Sequence, residues 1–307
     1  MNTKVRFFTS KKFSQTLFMV VVFVPMVAFF MIFIIVPLFM GLWGSFTNWT
    51  GFAADQKFIG MANYTRLFSD KIFLRALLNT FLYVVMYLPA AIVLGLGMAL
   101  LIEATGIFKQ FFRTVYFIPV VTSTIATALV WAWLYQPSLG LFNMLLKMAG
   151  LAPLLYLRSE TQALPSIVVY ALWKNMGYVM VLFMAGLASI SRVYYDAAKV
   201  DGAGALQLFR HVTVPLLRPT FVFVLITGMI DAMKLFGPVL VMTTPEAYTG
   251  VPGGPKNATM VLSLYQWMVA FKEGQLGYGA AMGVVLFLIM LTMTLIQLRT
   301  MRVQWEY

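Results

Sequence analysis

The sequence predicts an all-α polytopic membrane protein with six transmembrane helices. Its 307 residues are 61% hydrophobic and only 10% charged, whereas soluble domains average about 25% charged residues. Six runs with few or no charges are also long enough to cross a bilayer, which takes roughly 20 apolar residues. The six runs cover residues 17–44, 76–102, 114–135, 165–188, 216–240 and 276–298. Prolines inside these runs are tolerated in lipid because neighbouring helices satisfy the freed carbonyl groups.

The first run follows a basic N-terminal segment that holds Lys4, Arg6, Lys11 and Lys12. A secretory signal has an apolar core of roughly 7–15 residues and a small-residue cleavage site after it. The run 17–44 is far longer, and no such site follows it. We therefore expect an uncleaved first transmembrane helix.

The Lys and Arg residues predict the orientation of the helices. If the N-terminus is cytoplasmic, the segments on that side carry twelve of these residues and the outer segments carry eight. Cytoplasmic loops are enriched in Lys and Arg, so both termini are expected inside the cell. The net charge of +12 then faces anionic membrane lipid, and no nucleic acid partner is needed to account for it.

The outer segments are expected to be mostly loops. A short amphipathic helix is expected near 63–68, within the segment 47–75. The segment 136–164 carries turn signals, and the segment 243–256, which is rich in Pro, Gly and Thr, is expected to be irregular.

Several classes of chemistry are excluded by composition. The chain has no Cys and a single His, His211, so it offers no disulfide, no thiolate ligand and no histidine cluster for a metal. No G-x-x-x-x-G-K-[ST] motif occurs, so no nucleotide site of that kind is expected. A membrane-embedded enzyme would need an acid–base or metal constellation, and none is visible, so we expect no enzymatic activity and no metal site.

One polar stretch, 194–219, stands out between two apolar runs with the sequence YYDAAKVDGAGALQLFRHVTVPLLRP. It predicts a short helix over 194–199, a break at Asp201-Gly202, and a second amphipathic turn that Pro215 ends. Three apolar residues recur at three-residue spacing and predict an apolar stripe on that turn; they are Leu206, Phe209 and Val212. Such a helix pair beside a membrane either lies on lipid or docks into a partner.

The same stretch resembles the EAA loop of ABC-importer permeases, which reads E-A-A, three residues, Gly, nine residues, I-x-L-P. Here Asp196-Ala197-Ala198 is followed by Gly202 and then by Val212-x-Val214-Pro215 at the same spacing. The departures are Asp for Glu and Val for Ile and Leu. In the family, this loop is the coupling helix that sits in a cleft of a cytoplasmic ATPase. The resemblance implies this role for Asp196, Ala197, Ala198, Asp201, Gly202, Ala203, Phe209 and Pro215.

Further segments resemble the carbohydrate-uptake branch of these permeases, the maltose, multiple-sugar and glycerol-3-phosphate type. They are Gly60-Met61-Ala62-Asn63-Tyr64, FLRALLNT at 73–80, Phe117-Ile118-Pro119, Gly140-Leu141-Phe142-Asn143, Trp173-Lys174, Gly253-Gly254-Pro255, and Leu276-Gly277-Tyr278-Gly279. The resemblance implies the type I ABC importer permease fold in a bacterial or archaeal plasma membrane. Its core domain would cover 73–295, after an N-terminal segment over 1–72 and before a cytoplasmic tail over 296–307. Gly237-Pro238 after Phe236 and a long outer loop over 243–253 depart from the family pattern.

The resemblance also implies a function and a set of partners. The chain would be the permease subunit of an ATP-driven importer of a sugar or related polyol, with no cofactor of its own. ATP and Mg would sit on a separate ABC ATPase dimer. A second homologous permease and an extracellular or periplasmic sugar-binding protein would complete the importer. The alternative is a self-contained, ion-coupled secondary transporter, which usually shows internal repeats, and no repeat is visible.

Three ionisable residues fall inside predicted helices: Lys174, Asp231 and Lys234. A charge at a helix centre costs about 2.5–3.5 kcal/mol on insertion scales, so each needs a partner or water. Asp231 and Lys234 either satisfy each other across one helix face or line a translocation cavity. Lys174, with Asn175 beside it, either lines the same cavity or makes a helix–helix contact.

Aromatic side chains are candidates for the flat apolar face that a sugar ring needs. Those of the right type are Trp131, Trp133, Tyr135, Trp173, Tyr178, Tyr265 and Trp267. Trp133, Tyr135 and Trp267 lie near helix ends and fit an interfacial aromatic belt better. Tyr83 and Tyr87 face either a pore or a neighbouring helix. The candidate substrate pathway therefore consists of Trp131, Trp173, Lys174, Asn175, Tyr178, Asp231 and Lys234.

Overall fold

The computed structural model describes residues 5–51, 56–243 and 252–300, with side chains from residue 15 onward. Within these ranges the regular elements are helices joined by turns and irregular segments, with one isolated antiparallel bridge between Thr47 and Phe58. The α-helices are α1 (Val5–Phe30), α2 (Val36–Gly44), α3 (Ala62–Ser69), α4 (Lys71–Ala104), α5 (Lys109–Val121), α6 (Thr124–Leu134), α7 (Leu141–Met148), α8 (Ala163–Ser189), α9 (Arg192–Val200), α10 (Ala205–Leu208), α11 (Val214–Leu216), α12 (Arg218–Met233), α13 (Gly237–Met242), α14 (Leu262–Trp267) and α15 (Leu276–Thr300). The expected short helix near 63–68 is α3, whereas α7 forms in a segment for which the sequence predicts a loop.

Four helical stretches are long and apolar enough to cross a membrane: Gln15–Gly44, α4, α8 and α15. Two further spans are pairs of helices bent at a break. The stretch Gly106–Val121 meets α6 at 94°, and Ala205–Leu216 meets α12 at 62°. The described residues therefore hold up to six spans, if each bent pair counts as one. The expectation of a single apolar helix over 114–135 is wrong, because that span is broken at Thr122 and Ser123.

The break between α5 and α6 has a local cause. Thr122 and Ser123 both have extended backbone, with ψ of 156° and 124°. The Ser123 hydroxyl oxygen accepts a hydrogen bond from the Ala126 N–H at 3.4 Å, which is the geometry of a helix N-cap. Ser123 therefore begins a new helix in the middle of an apolar run.

Pro215 does not end a helix, contrary to the sequence prediction. A π-helical turn over Phe209–Thr213 precedes it, and the helix continues through α11 before the chain bends at Leu217. A proline clashes with the carbonyl group four residues earlier and lacks an N–H, and the wider π turn accommodates both defects. The next helix, α12, instead begins with Pro219 in its first turn, where a proline costs nothing.

Contacts divide the chain into two compact units. The larger comprises Arg66–Met268 and Val285–Tyr307, and the smaller comprises Met1–Thr65 and Val269–Val284. In the larger unit, α8 packs against α4 and α5 and buries Tyr170, Phe183, Ile167 and Met180 completely. Glycine permits the closest approach, because a Cβ at Gly177 would lie 2.0 Å from the Tyr116 carbonyl oxygen. Small residues serve this purpose in membrane helix packing generally.

Side-chain hydrogen bonds hold the segment 257–262 of the larger unit in place. Asn79 Nδ2 on α4 donates to the carbonyl oxygens of Asn257 and Met260 at 2.8 and 2.9 Å. The neighbouring Thr80 hydroxyl accepts from the Leu262 N–H at 2.9 Å. The segment 257–262 is thus held beside the first turns of α4, which Asp70 caps through the N–H groups of Ile72 and Phe73.

The smaller unit is fastened in the same way. Asn63 Nδ2 donates to the carbonyl oxygens of Ser45 and Thr47, both at 2.9 Å. The Gly277 N–H donates to the Trp49 carbonyl oxygen at 2.8 Å. A Cβ at Gly277 would lie 2.2 Å from the Thr47 carbonyl oxygen, so a side chain there would prevent this approach.

Candidate functional site

A small polar cavity lies among the helices of the larger unit. Its volume is about 100 Å³. Five helices and the turn after α12 supply its walls, which are formed by Tyr83, Tyr87, Thr124, Tyr170, Ala171, Lys174, Asn175, Asp231, Ala232, Leu235 and Pro238. The cavity therefore brings together three of the residues expected on the substrate pathway, namely Lys174, Asn175 and Asp231.

Two tyrosines of α4 form a flat wall of the cavity. The rings of Tyr83 and Tyr87 stack with their centroids 5.4 Å apart and their planes at 6°. Both side chains are buried. They present an aromatic surface and two hydroxyl groups at the same place, although the sequence alone left their direction open.

Lys174 has hydrogen-bond partners at the C-terminal end of α5, where the span is interrupted. Its Nζ donates to the carbonyl oxygens of Pro119, Val120 and Thr122, the last two at 3.1 and 2.7 Å. These carbonyl groups lie at the C-terminal end of α5, where helical N–H partners run out, and that of Pro119 also accepts from the N–H and hydroxyl of Thr122. A cation is favourable at a helix C-terminus. Lys174 is only 4% exposed, so its charge has little contact with solvent. The carbonyl oxygens compensate this charge inside the protein.

Tyr170, one turn earlier on α8, holds the other side of the break. Its hydroxyl donates to the Thr124 carbonyl oxygen at 2.9 Å and lies 2.9 Å from the Thr127 hydroxyl. Lys174 and Tyr170 therefore tie both halves of the bent span to one helix, directly beside the polar cavity.

Trp131 and Trp173 lie in an aromatic cluster next to the cavity rather than in its wall. Their ring centroids are 5.2 Å apart, and Trp131 also contacts Tyr135 and Phe142 at 5.5 Å. This cluster borders a second cavity of about 600 Å³. The Tyr135 hydroxyl donates to the Ser166 carbonyl oxygen at 2.9 Å, so that hydroxyl is already occupied within the protein.

Asp231 and Lys234 do not pair with each other in the structure. The ion pairs found among the described residues are Lys109–Glu103 and Lys256–Glu160. Asp231 lines the polar cavity, whereas Lys234, at the end of α12, is exposed outside its wall. Of the two arrangements open from the sequence, the self-satisfied pair is therefore not formed. Tyr178 is 40% exposed and, like Lys234, lies outside the cavity wall.

An ion pair joins two segments of the larger unit that the sequence predicts on the outer side. Lys256 Nζ lies 2.7 Å from Glu160 Oε1, and the hydrogen bond to this carboxylate raises the pKa of Lys256. Lys256 and Asn257 have positive φ angles of 49° and 60°, which is uncommon for residues other than glycine. Residues 244–251 of the expected irregular outer loop lie outside the described residues.

The polar stretch 194–219, called the elbow below, forms the short helix and the break that the sequence predicts. Asp196, Ala197 and Ala198 lie on α9, which ends at Val200. Asp201 and Gly202 follow it, and the φ of Gly202 is +80°. Because a positive φ favours glycine, Gly202 permits the sharp turn that leads to α10. The Tyr195 hydroxyl, 3.2 Å from that of Thr213, ties α9 to the π-helical turn.

The elbow exposes several apolar side chains among its charged and polar ones. The side chains of Val193, Tyr194, Val200 and Leu206 are 56–88% exposed. Phe209 and Val212 are only partly exposed, because the π turn changes the angular spacing of the residues. The stripe expected from Leu206, Phe209 and Val212 is therefore not a uniform face. Asp196, Asp201 and Pro215 are exposed, and Ala203 is partly so.

Comparison with known proteins identifies the family. Residues 58–300 match the model of the family described as the binding-protein-dependent transport system inner membrane component. The chain belongs to this family. This permease is 34% identical over 284 residues to the diacetylchitobiose uptake system permease protein NgcF of Streptomyces coelicolor, a match that covers 88% of this chain and 78% of NgcF.

Two further comparisons agree. The permease is 30% identical over 278 residues to the trehalose/maltose transport system permease protein MalF of Thermococcus litoralis, covering 91% of each chain. Its structure matches a chain of a bacterial ABC transporter involved in the import of the acidic polysaccharide alginate. The TM-score is 0.79 at 23% identity, covering 97% of this chain and 98% of that one. The expected ABC importer permease fold is thereby confirmed.

Proposed function

We propose that this permease carries a sugar across the membrane and receives the energy for transport from a separate ATPase through the elbow 194–219. The exposed apolar side chains of the elbow carry this proposal, because exposed apolar patches rimmed by polar residues mark sites of contact with another protein or a membrane. The spacing of Asp196, Gly202 and Pro215, which resembles the family's coupling loop, supports the same assignment. Asp201, Ala203 and Phe209 complete the proposed contact.

The elbow is joined directly to the proposed substrate path. Closure of the ATPase pair would push on α9 and α10, and the tie between Tyr195 and Thr213 would pass the displacement to the π-helical turn. From there the bend at Leu217 leads into α12, which places Asp231 in the polar cavity. Alternating access of the cavity then follows from tilting of α12.

The polar cavity is suited to a portion of a sugar. Sugar sites combine flat apolar faces with a few placed polar groups, and the stacked pair Tyr83 and Tyr87 lies beside Asn175 and Asp231. The permeases named for diacetylchitobiose and for trehalose/maltose support a mono- or oligosaccharide as the substrate. Trp131 and Trp173 would support the sugar site indirectly, because both rings contact that of Tyr170 in the cavity wall.

The proposal includes a second permease, because the polar cavity of this chain alone is too small to hold a sugar. Ligand pockets usually measure about 300–1,000 Å³, and this one measures about 100 Å³. A second homologous permease would complete the path, and the exposed side chains of Tyr178 and Lys234 are available to it. The full importer would add an ABC ATPase dimer with its ATP and Mg, and an extracellular or periplasmic sugar-binding protein.

A charge placed on the elbow tests the coupling role. Leu206 is 77% exposed, so Leu206→Asp should leave folding intact. It should weaken association with the ATPase by about thirty-fold or more, as expected for a residue at the centre of an interface. Co-purification of the ATPase and ATP hydrolysis stimulated by the binding protein would be measured in the assembled importer.

The matched control is Leu139→Asp, which alters an equally exposed leucine in the proposed outer segment. It should change neither association nor hydrolysis. Normal coupling in Leu206→Asp would overturn the role of the elbow. Uptake by the purified chain alone under an ion gradient would instead favour a secondary transporter.

A further inference from the structure

One face of α5 forms a groove with polar and apolar ends. Gln110, Arg113 and Thr114 lie at its start, and Phe117, Ile118 and Val121 continue the same face at helical spacing. With Val181 of α8 they line a groove of about 350 Å³. From Arg113 to Val121 the helix rises about 12 Å, so the groove changes from polar to apolar over a short distance.

The polar end carries an uncompensated positive charge. Arg113 is exposed, and among the residues that the structure describes no carboxylate lies within ion-pair distance of it. The nearby Lys109 is already paired with Glu103 at 2.6 Å. A guanidinium group presents a planar set of donors that matches the oxygens of a phosphate, and Gln110 adds an amide beside it.

The apolar end is open and has no polar side chain among its lining residues. Ile118 and Val121 are 52% and 70% exposed, and Phe117 completes this part of the wall. A free phosphate ion would contact the polar end alone. A molecule with a phosphate followed directly by a hydrocarbon chain would fill the whole groove.

We propose that this groove binds an anionic phospholipid, with its phosphate on Arg113 and an acyl chain along Phe117, Ile118 and Val121. The order of the groove fits the membrane, because α5 belongs to a bent span and its Arg113 end lies toward the proposed cytoplasmic surface. Basic pockets between transmembrane helices on that side bind anionic lipid headgroups. The lipid would reinforce α5 just before the break that Lys174 holds.

The test compares lipids retained by the full-length permease within its assembled importer. The importer is placed in nanodiscs of phosphatidylcholine mixed with phosphatidylglycerol, washed with detergent, and its retained lipids are measured by mass spectrometry. Wild type should be enriched in phosphatidylglycerol. Arg113→Gln should lower this enrichment about five-fold, as expected for removal of one basic residue near the lipid surface. Arg299→Gln, which removes an exposed Arg at the end of α15, should leave it unchanged.

Further variants separate the lipid from other occupants. Val121→Trp fills the apolar end and keeps Arg113, so it should also lower the enrichment. Equal phosphatidylglycerol retention in wild type and Arg113→Gln would overturn the proposal. Binding of glycerol phosphate that is unaffected by Val121→Trp would indicate a soluble phosphate instead. Protection of a cysteine at position 121 only when the second permease is present would assign the groove to a subunit interface.

Discussion

At the scale of single residues, three asparagines play the same structural role. Asn63, Asn79 and Asn143 are each almost fully buried, and each amide donates to two backbone carbonyl oxygens. A short amide can satisfy two carbonyl groups where no regular helix does so. All three fall in segments that resemble the carbohydrate-uptake permeases, so the resemblance at these positions reflects the fastening of loops.

Asp231 is the residue that best tests the proposed substrate path. Asp231→Asn keeps the size of the side chain but removes its charge, and hydrogen bonds to charged groups contribute about 1.5–3 kcal/mol. We therefore expect uptake at low sugar concentration to fall about ten-fold. Transport of labelled sugars would be measured in cells, beginning with diacetylchitobiose, trehalose and maltose.

The control for this variant is Lys234→Gln. Lys234 lies three residues further along and outside the cavity wall, so this variant should retain more uptake than Asp231→Asn. Comparable membrane levels of the two proteins would show that folding is preserved. Unchanged uptake in Asp231→Asn would remove the cavity from the substrate path.

At the scale of elements, the bent span depends on α8. The carbonyl groups at the end of α5 bond to Lys174, and the first turn of α6 bonds to the hydroxyl of Tyr170. Inside a bilayer, unpaired backbone groups cost several kcal/mol each, so a break is stable only where a neighbour satisfies them. Close packing of α5 on α8 at Gly177 brings the two side chains within reach.

Filling the crossing of α5 and α8 should destabilise the protein. In Gly177→Ala the new Cβ would lie 2.0 Å from a backbone oxygen of α5, and overpacking of this kind costs about 1–3 kcal/mol. We expect the free energy of unfolding to fall by about that amount. It would be measured by denaturation of the purified permease in detergent.

Gly97→Ala on α4 is the matched control. A Cβ added at Gly97 would have no atom within 4 Å, so this variant should be neutral or slightly stabilising, since Ala favours helices over Gly. If both variants unfolded like wild type, the two helices could separate without cost, and the crossing would not hold the bend.

At the scale of the whole molecule, the absence of Cys makes the orientation directly measurable. Single cysteines at the exposed positions of Leu206 and Leu139 should react from opposite sides of the membrane. A membrane-impermeant maleimide added to intact cells should label Leu139→Cys only. Labelling of Leu206→Cys under the same conditions would place the elbow outside the cell and contradict the orientation predicted from Lys and Arg.

Much of this architecture follows from the sequence, because long apolar runs and a spaced polar motif are strong signals. The elbow at Asp201-Gly202 could be predicted, since only glycine readily adopts its backbone conformation. The break at Ser123 could not, because its neighbours are apolar or β-branched and its stability comes from Lys174 on another helix. The cavity wall was also only partly predictable, since Tyr83, Tyr87 and Thr124 meet Asp231 through packing between distant segments.

The interrupted span has a consequence for how such proteins diverge. Lys174 is tolerated in an apolar environment only while the C-terminal end of α5 offers it carbonyl oxygens that accept its hydrogen bonds. A mutation that made the span continuous would use those oxygens internally and leave a buried ammonium group uncompensated. Descendants of this permease should therefore gain or lose the lysine and the interruption together, and covariation of positions 123 and 174 would record it.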